Sequence, residues 1–157
     1  MSERKHVSWE NLEKMCHILG EKILVNEKKL DQIIAVNRGG IVQGRILSDY
    51  LGLELGIISV ESYEKGEEKR TRNIIHIGGF SSMSKLEGNV LLVDDLVDGG
   101  LTMTALCSYL KGKKKIKKVS TAVIYKKPWS FFIPDYYIEE TDKWVIFPYD
   151  KKEFQQE

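Results

Sequence analysis

The stretch Asn89-Val-Leu-Leu-Val-Asp94-Asp95-Leu-Val-Asp98-Gly99-Gly100-Leu101-Thr102 decides the fold. Residues 89–93 read as a strand buried on both faces, because they are almost all apolar and include two valines. The run ends in carboxylates and glycines, and from Thr102 to about Leu110 the apolar residues recur at helical spacing. Strand, turn and helix in that order are one half of an α/β layer. Upstream, Ser8 is placed to cap a helix from Trp9 to about Ile23, with Trp9, Leu12, Cys16, Leu19 and Ile23 on one stripe. Gln32–Val36 reads as a strand running into Asn37-Arg38-Gly39-Gly40. A helix from about Ile41 to Leu51 follows, closed by Gly52, and then a strand from Leu55 to Val60. Glu61–Asn73 is polar and charged with no apolar period, and loops of that length inside a domain are usually functional lids or disordered. Ile74–Ile77 reads as strand-like before Gly78-Gly79 and a Ser-rich turn. Downstream, Lys111–Lys118 is a basic connector, and Val119–Ile124, Tyr136–Glu139 and Trp144–Phe147 are apolar segments of strand length. The expected architecture is α/β, a central mostly parallel sheet flanked by helices, in one domain over residues 1–157.

Composition narrows the function classes. The chain has 157 residues, 42% hydrophobic and 30% charged, which suits a packed globular protein. Its 24 basic and 23 acidic side chains give a net charge of +1, so coating nucleic acid is not its expected task. No apolar run reaches the ~18–20 residues of a membrane helix, and no secretory signal is visible after Met1. Cys16 and Cys107 sit at apolar-periodic helical positions without a CxxC or Cys/His companion, which points to buried thiols and a reducing cytoplasm. His6, His17 and His76 have no ligand spacing. The basic connector lacks the interleaved aromatics of a nucleic-acid surface.

Parallel sheets bind ligands beyond the carboxyl ends of their strands, here just after Val36, Val60, Val93 and Ile124. After Val93, glycines let main chain approach an anion, and the unpaired amides of a helix start favour one. Thr102 adds a hydroxyl. Asp94, Asp95 and Asp98 cannot face the same phosphate without repulsion. Acceptor-only groups of that kind suit sugar hydroxyls or a magnesium ion. After Val36, Arg38 supplies a permanent cation beside Gly39 and Gly40, a combination suited to a diphosphate. The glycines of neither turn form a GxGxxG or Gly-Lys-Ser/Thr pattern, which disfavours dinucleotide and triphosphate loops.

Val90 to Thr102 resembles the phosphoribosyl-diphosphate motif of the type I phosphoribosyltransferases, and the segments from Ile33 to Asp150 fall in that family's order. Asp98, Lys127 and the ending Trp144-Val145-Ile-Phe-Pro-Tyr-Asp150 look like the 6-oxopurine branch, closest to its bacterial xanthine-guanine members. That resemblance implies the family's sheet with a small base-binding hood and a flexible loop. It also implies transfer of a 5-phosphoribosyl group from its 1-diphosphate to N9 of guanine, xanthine or hypoxanthine, with magnesium as cofactor and a dimer or tetramer as assembly. By the same resemblance Asp94, Asp95 and Asp98 are catalytic, Asp98 acting as base. Asp94, Asp95, Asp98, Gly99, Gly100, Leu101 and Thr102 bind the phosphoribosyl group, and Arg38, Gly39 and Lys69 the diphosphate. Ser62 and Tyr63 lie in the flexible loop. Asp98, Lys127, Trp144 and Val145 hold the purine, and Asp95 and Asp150 are the metal candidates. The family pattern also implies a cis peptide at Arg38–Gly39. Two departures stand out: Gly99 replaces a usual Thr or Ser, and Leu101 a frequent Gly or Lys. They motivate the rival reading, a non-catalytic regulator that binds the sugar diphosphate and a nucleic acid or protein. Lys127 and Trp144 argue against that rival. Lys127 also argues against adenine, whose 6-amino group is itself a donor.

Overall fold

The computed structural model describes residues 3–65 and 72–150. Its elements are β1 (Arg4–His6), α1 (Trp9–Asn26), β2 (Gln32–Asn37), α2 (Ile41–Leu51), β3 (Glu54–Lys65) and β4 (Arg72–Ser81). They continue as β5 (Gly88–Val93), β6 (Leu96–Val97), α3 (Leu101–Lys111), β7 (Ile116–Lys126), β8 (Tyr136–Glu140) and β9 (Trp144–Ile146). The main sheet runs β4-β3-β2-β5-β7-β6, with β8 also on β7, and every pairing is parallel except β3 with β4. The expected mostly parallel sheet is therefore present.

Alternation within the strands builds a core on each face, since successive side chains point to opposite sides. Ile33, Leu91 and Val93 pack with Leu12, Cys16, Leu19 and Ile23 of α1 and Leu47 of α2. Ile34, Val90 and Leu92 pack on the other face with Met103, Leu106 and Leu110 of α3. Ser8 caps α1 as expected, its Oγ accepting from Asn11 N at 3.1 Å. Trp9 does not join the buried stripe: it is 56% exposed, because as the first helical residue it lies at the rim, with its ring edge toward Tyr149.

Three elements differ from expectation. β3 continues to Lys65 and β4 starts at Arg72, so much of the charged 61–73 segment is an antiparallel ladder pairing Glu61 with His76 and Lys65 with Arg72. Cross-strand hydrogen bonds hold that ladder where no apolar alternation announces it. β4 runs on through Gly78-Gly79 to Ser81, past the Ile77 end that the sequence implied. Finally, β1 and β9 form a separate parallel pair, with Lys5 opposite Val145, and it fastens the C-terminal apolar segment to the chain's beginning. No helix among the described residues is long and apolar enough to cross a membrane.

Candidate active site

β2 and β5 are neighbours whose chains leave in opposite directions, β2 toward β3 and β5 toward β7. Such a switch point opens a crevice at the carboxyl ends of the two strands. Ala35 pairs with Val93 there, so residues 37–40 and 94–100 emerge side by side. They touch closely. A Cβ at Gly40 would lie 2.4 Å from the Val93 carbonyl oxygen, and one at Gly39 2.5 Å from the Asp95 carboxylate. Only glycine lets these turns meet at those positions. A cis peptide is present, at Asn37–Arg38, one bond earlier than expected. Arg38 itself is exposed and has no ion-pair partner among the described residues.

The turn after β5 is open, not filled. Asp94, Leu96, Asp98, Gly99, Gly100 and Thr102 line a cavity of about 280 Å³, close to the ~300 Å³ lower end for ligand pockets. Gly100 is the N-cap of α3 with φ +108°, a left-handed conformation that disfavours any side chain, and a Cβ there would strike Phe132 at 2.6 Å. α3 begins without a side-chain cap, so the first-turn amides remain available to an anion. Phe131 N donates to the Gly99 carbonyl at 3.1 Å. In a trans peptide the next amide then points away from the 131 loop. Gly99 has nothing within 4 Å of its would-be Cβ.

Asp94 and Asp95 are partly buried and crowded together. Asp95 N donates to Asp94 Oδ1 at 2.9 Å. Burial first, and the Asp95 charge second, push the Asp94 carboxyl well above its usual range. Burial also raises Asp95, against hydrogen bonds from Asp94 and Tyr149 that lower it. Two carboxylates this close favour holding one proton between them until a cation or a sugar hydroxyl relieves the repulsion. The Tyr149 hydroxyl accepts from Gln43 Nε2 at 2.8 Å and shares its proton between the Gly39 carbonyl and Asp95 Oδ2, each at 3.2 Å. Burial, then the Asp95 charge, keep that phenol protonated. Asp150 Oδ2 accepts from Phe147 N at 3.0 Å, and its charge also raises Asp95.

The base-side residues form a connected set. Lys126 and Lys127 alternate off the end of β7. Lys126 pairs with Glu140 at 2.6 Å, while the buried Lys127 ammonium donates to the Lys143 carbonyl and sits 5.4 Å from the Trp129 ring centre. Trp129 Nε1 donates to Asp98 Oδ1 at 2.7 Å. Asp98, Lys127 and the segment leading into Trp144 are therefore linked by direct contacts. Trp144 is 54% exposed, and Val145 is half-buried against the core. Ser62 and Tyr63 lie on β3, opposite Ile75 and Ile74, and not in a loop, because the ladder extends past them. Lys69 lies outside the described residues. Leu101 is 45% exposed at the first turn of α3.

Residues 8–153 match the family model described as a phosphoribosyl transferase domain. This chain belongs to the phosphoribosyltransferase family. The phosphoribosyltransferase is 31% identical over 147 residues to the xanthine-guanine phosphoribosyltransferase of Desulfotalea psychrophila, covering 92% of this chain and 84% of that one. It superposes on the purine phosphoribosyltransferase from Pyrococcus horikoshii with a TM-score of 0.77 at 31% identity, covering 94% and 95% of the two chains. A Helicobacter pylori xanthine-guanine-hypoxanthine phosphoribosyltransferase shares its fold, with a TM-score of 0.83 at 23% identity over 99% and 100% of the chains. Like those relatives in sequence, the phosphoribosyltransferase described here is a type I enzyme of the 6-oxopurine branch.

Sequence reading missed Trp129, Tyr149 and Gln43. For Trp129 a signal existed in its place two residues after Lys127. Tyr149 stood in the C-terminal motif with no role assigned, and Gln43 carried no signal, because a buried glutamine and a rim tyrosine 106 positions apart meet only through the fold.

Proposed function

We propose that the enzyme transfers the 5-phosphoribosyl group from 5-phosphoribosyl 1-diphosphate to N9 of a 6-oxopurine, releasing pyrophosphate and forming the nucleoside 5'-monophosphate. The observation that carries this reading is the open cradle at the start of α3, lined by Asp94 and Asp98, with Asp98 joined through Trp129 to Lys127.

In this reading the C1'–oxygen bond to the diphosphate breaks, positive charge develops on the ribose ring, and C1'–N9 forms. The amides from Gly99 to Thr102 and the Thr102 hydroxyl hold the 5-phosphate, remote binding energy that positions C1'. Asp94 and Asp95 accept the ribose hydroxyls and place negative charge beside the cationic ring. Arg38 and the Gly39 amide face the departing diphosphate, joined by Lys69. Asp98 takes the purine N7 proton, Lys127 donates to the 6-oxygen, Trp144 stacks on the ring and Val145 meets its edge through main chain.

The family's magnesium fits the donor set. No group of three or more possible ligands occurs among the described residues, and magnesium takes one or two carboxylates with substrate phosphates and water. Asp95 and Asp150 would hold it, and Asp94's crowding against Asp95 is relieved by a cation. Once bound, it neutralises the diphosphate's charge and so makes it a better leaving group.

Pyrophosphate release tests the reading, using purified enzyme, 5-phosphoribosyl 1-diphosphate and magnesium with guanine, xanthine, hypoxanthine and adenine. At least one 6-oxopurine should give turnover and adenine none. Silence with all four would remove the proposal. The regulator reading is not favoured, because the base-side residues are assembled. We also propose a homodimer or homotetramer as the working form, which sedimentation measures directly.

A further inference from the structure

The opposite end of the sheet carries a second cleft. Three loops converge at the amino ends of β2, β5 and β7, which are neighbours in the sheet. The cleft has a volume of about 690 Å³ and is lined by Lys29, Lys85, Lys114, Lys115 and Lys117, with Asp31 and Glu87 as its acids. Five cations and two anions give it +3, in a chain whose net charge is only +1. Lys29 lies 3.8 Å from Asp31, and Lys115 lies 3.9 Å from Glu87. Lys85, Lys114 and Lys117 have no ion-pair partner among the described residues.

The lysines stand on main chain that is stitched together. Asp31 N donates to the Asn89 carbonyl at 2.8 Å, Asn89 Nδ2 to the Lys29 carbonyl at 3.0 Å, and Gly88 N to the Lys115 carbonyl at 2.8 Å. Asp31 Oδ2 also accepts from Asn89 N at 2.8 Å. The arrangement of positive charge is thus set by the fold and not by independent loops.

The inner wall includes Gln32, the first residue of β2, only 2% exposed. Its Nε2 donates to Ser82 Oγ at 2.6 Å, but its Oε1 has no hydrogen-bond partner. That oxygen is closed to solvent, so the surface a ligand meets is set by the lysines and the two acids. Among the described residues no aromatic side chain lines the cleft, so the lining favours phosphate over a stacked nucleobase.

We propose that this cleft is a second ligand site, for a small sugar or polyol bearing two or more phosphate groups. The free lysines take the phosphate oxygens, and the Asp31 and Glu87 carboxylates that line the cleft accept from ligand hydroxyls. The site lies about 20 Å from the catalytic cradle, given six residues of β5 at ~3.3 Å each. Its occupant therefore does not compete with substrate for the cradle, and the two clefts communicate, if at all, through β2 and β5. The inference stands independently of the reaction assigned above.

The test is a titration of fructose 1,6-bisphosphate into the isotope-labelled full chain, followed by amide chemical shifts. Saturable shifts are expected at Gly88, Asn89 and Ile116. The triple variant Lys85→Ala, Lys114→Ala, Lys117→Ala should bind about tenfold or more weakly, with its amide spectrum away from the cleft unchanged as proof of a correct fold. Shifts confined to Gly99–Thr102, unchanged affinity in the triple variant, or a response that never saturates would each overturn the proposal.

Discussion

Trp129 ties a catalytic candidate to a specificity candidate: its indole N–H reaches Asp98, and its ring lies beside the Lys127 ammonium. Trp129→Phe keeps an aromatic face for Lys127 and deletes the donor. About 1 kcal/mol of positioning should be lost, seen as a several-fold lower kcat/KM for the purine with the KM for the sugar diphosphate unchanged. Equal effects on both substrates would mean that the ring acts as general support. Gly99 yields the opposite sign. Open space surrounds its would-be Cβ, so Gly99→Thr adds a hydroxyl at the cradle without a clash. The KM for the sugar diphosphate should fall about tenfold, the worth of one hydrogen bond to a charged group, and steady-state kinetics reads it. Asp94 to Thr102 were legible in the sequence because one turn carries all of them, contiguous and in fixed order. Trp129 was not: its partner is 31 residues away, and no spacing rule says which carboxylate an indole will meet.

At the scale of elements, the apolar strands and the three helices were legible because burial imposes a period on them. β1 was not. A three-residue strand reading Arg-Lys-His has no apolar pattern, and it exists because β9 offers it a backbone edge. The outer parts of β3 and β4 escaped for the same reason, being held by cross-strand hydrogen bonds between polar residues. The β1–β9 pair has a job that can be measured. Val7 N donates to the Ile146 carbonyl at 2.9 Å and Trp144 N to the Glu3 carbonyl at 2.8 Å, which fixes the segment bearing Trp144 and Val145. Val7→Pro removes the first of these donors. The KM for the purine should rise several-fold, about 1 kcal/mol, while the KM for the sugar diphosphate stays near that of the parent enzyme. A parallel rise in both would place the effect in the whole fold.

For the whole molecule, the carboxylate pair sets a cost that function imposes on stability. Asp94 and Asp95 have folded values raised above the ordinary carboxylate range, so between the unfolded and folded values the native state holds more protons. That contribution is fully present below the unfolded value of about 4 and is lost as pH rises through the folded one. Asp94→Asn removes the repulsion. It should raise Tm at pH 7 by about 2–4 °C for each kcal/mol relieved, with the gap to the parent closing as pH falls toward about 4, while turnover collapses. Thermal melts across pH check this, and a gap that widens in acid would contradict it. The layered, mostly parallel sheet and the ligand end of its strands were implied by the apolar strands alone, whereas the strand order, the switch point between β2 and β5 and the pairing of the chain's early and late ends were not.

That pairing has a consequence for biosynthesis. A ribosome emits β1 long before β9, so the early strand must wait, edge unsatisfied, while the central layers assemble around it. Tyr149, which bridges Gly39 and Asp95, arrives later still. A nascent chain halted near residue 140 would have the sheet and both helical layers yet lack the indole of Trp144 and the phenol that joins the two ligand turns. Such truncated polypeptides should be folded but inert, and residues 141–150 convert scaffold into catalyst.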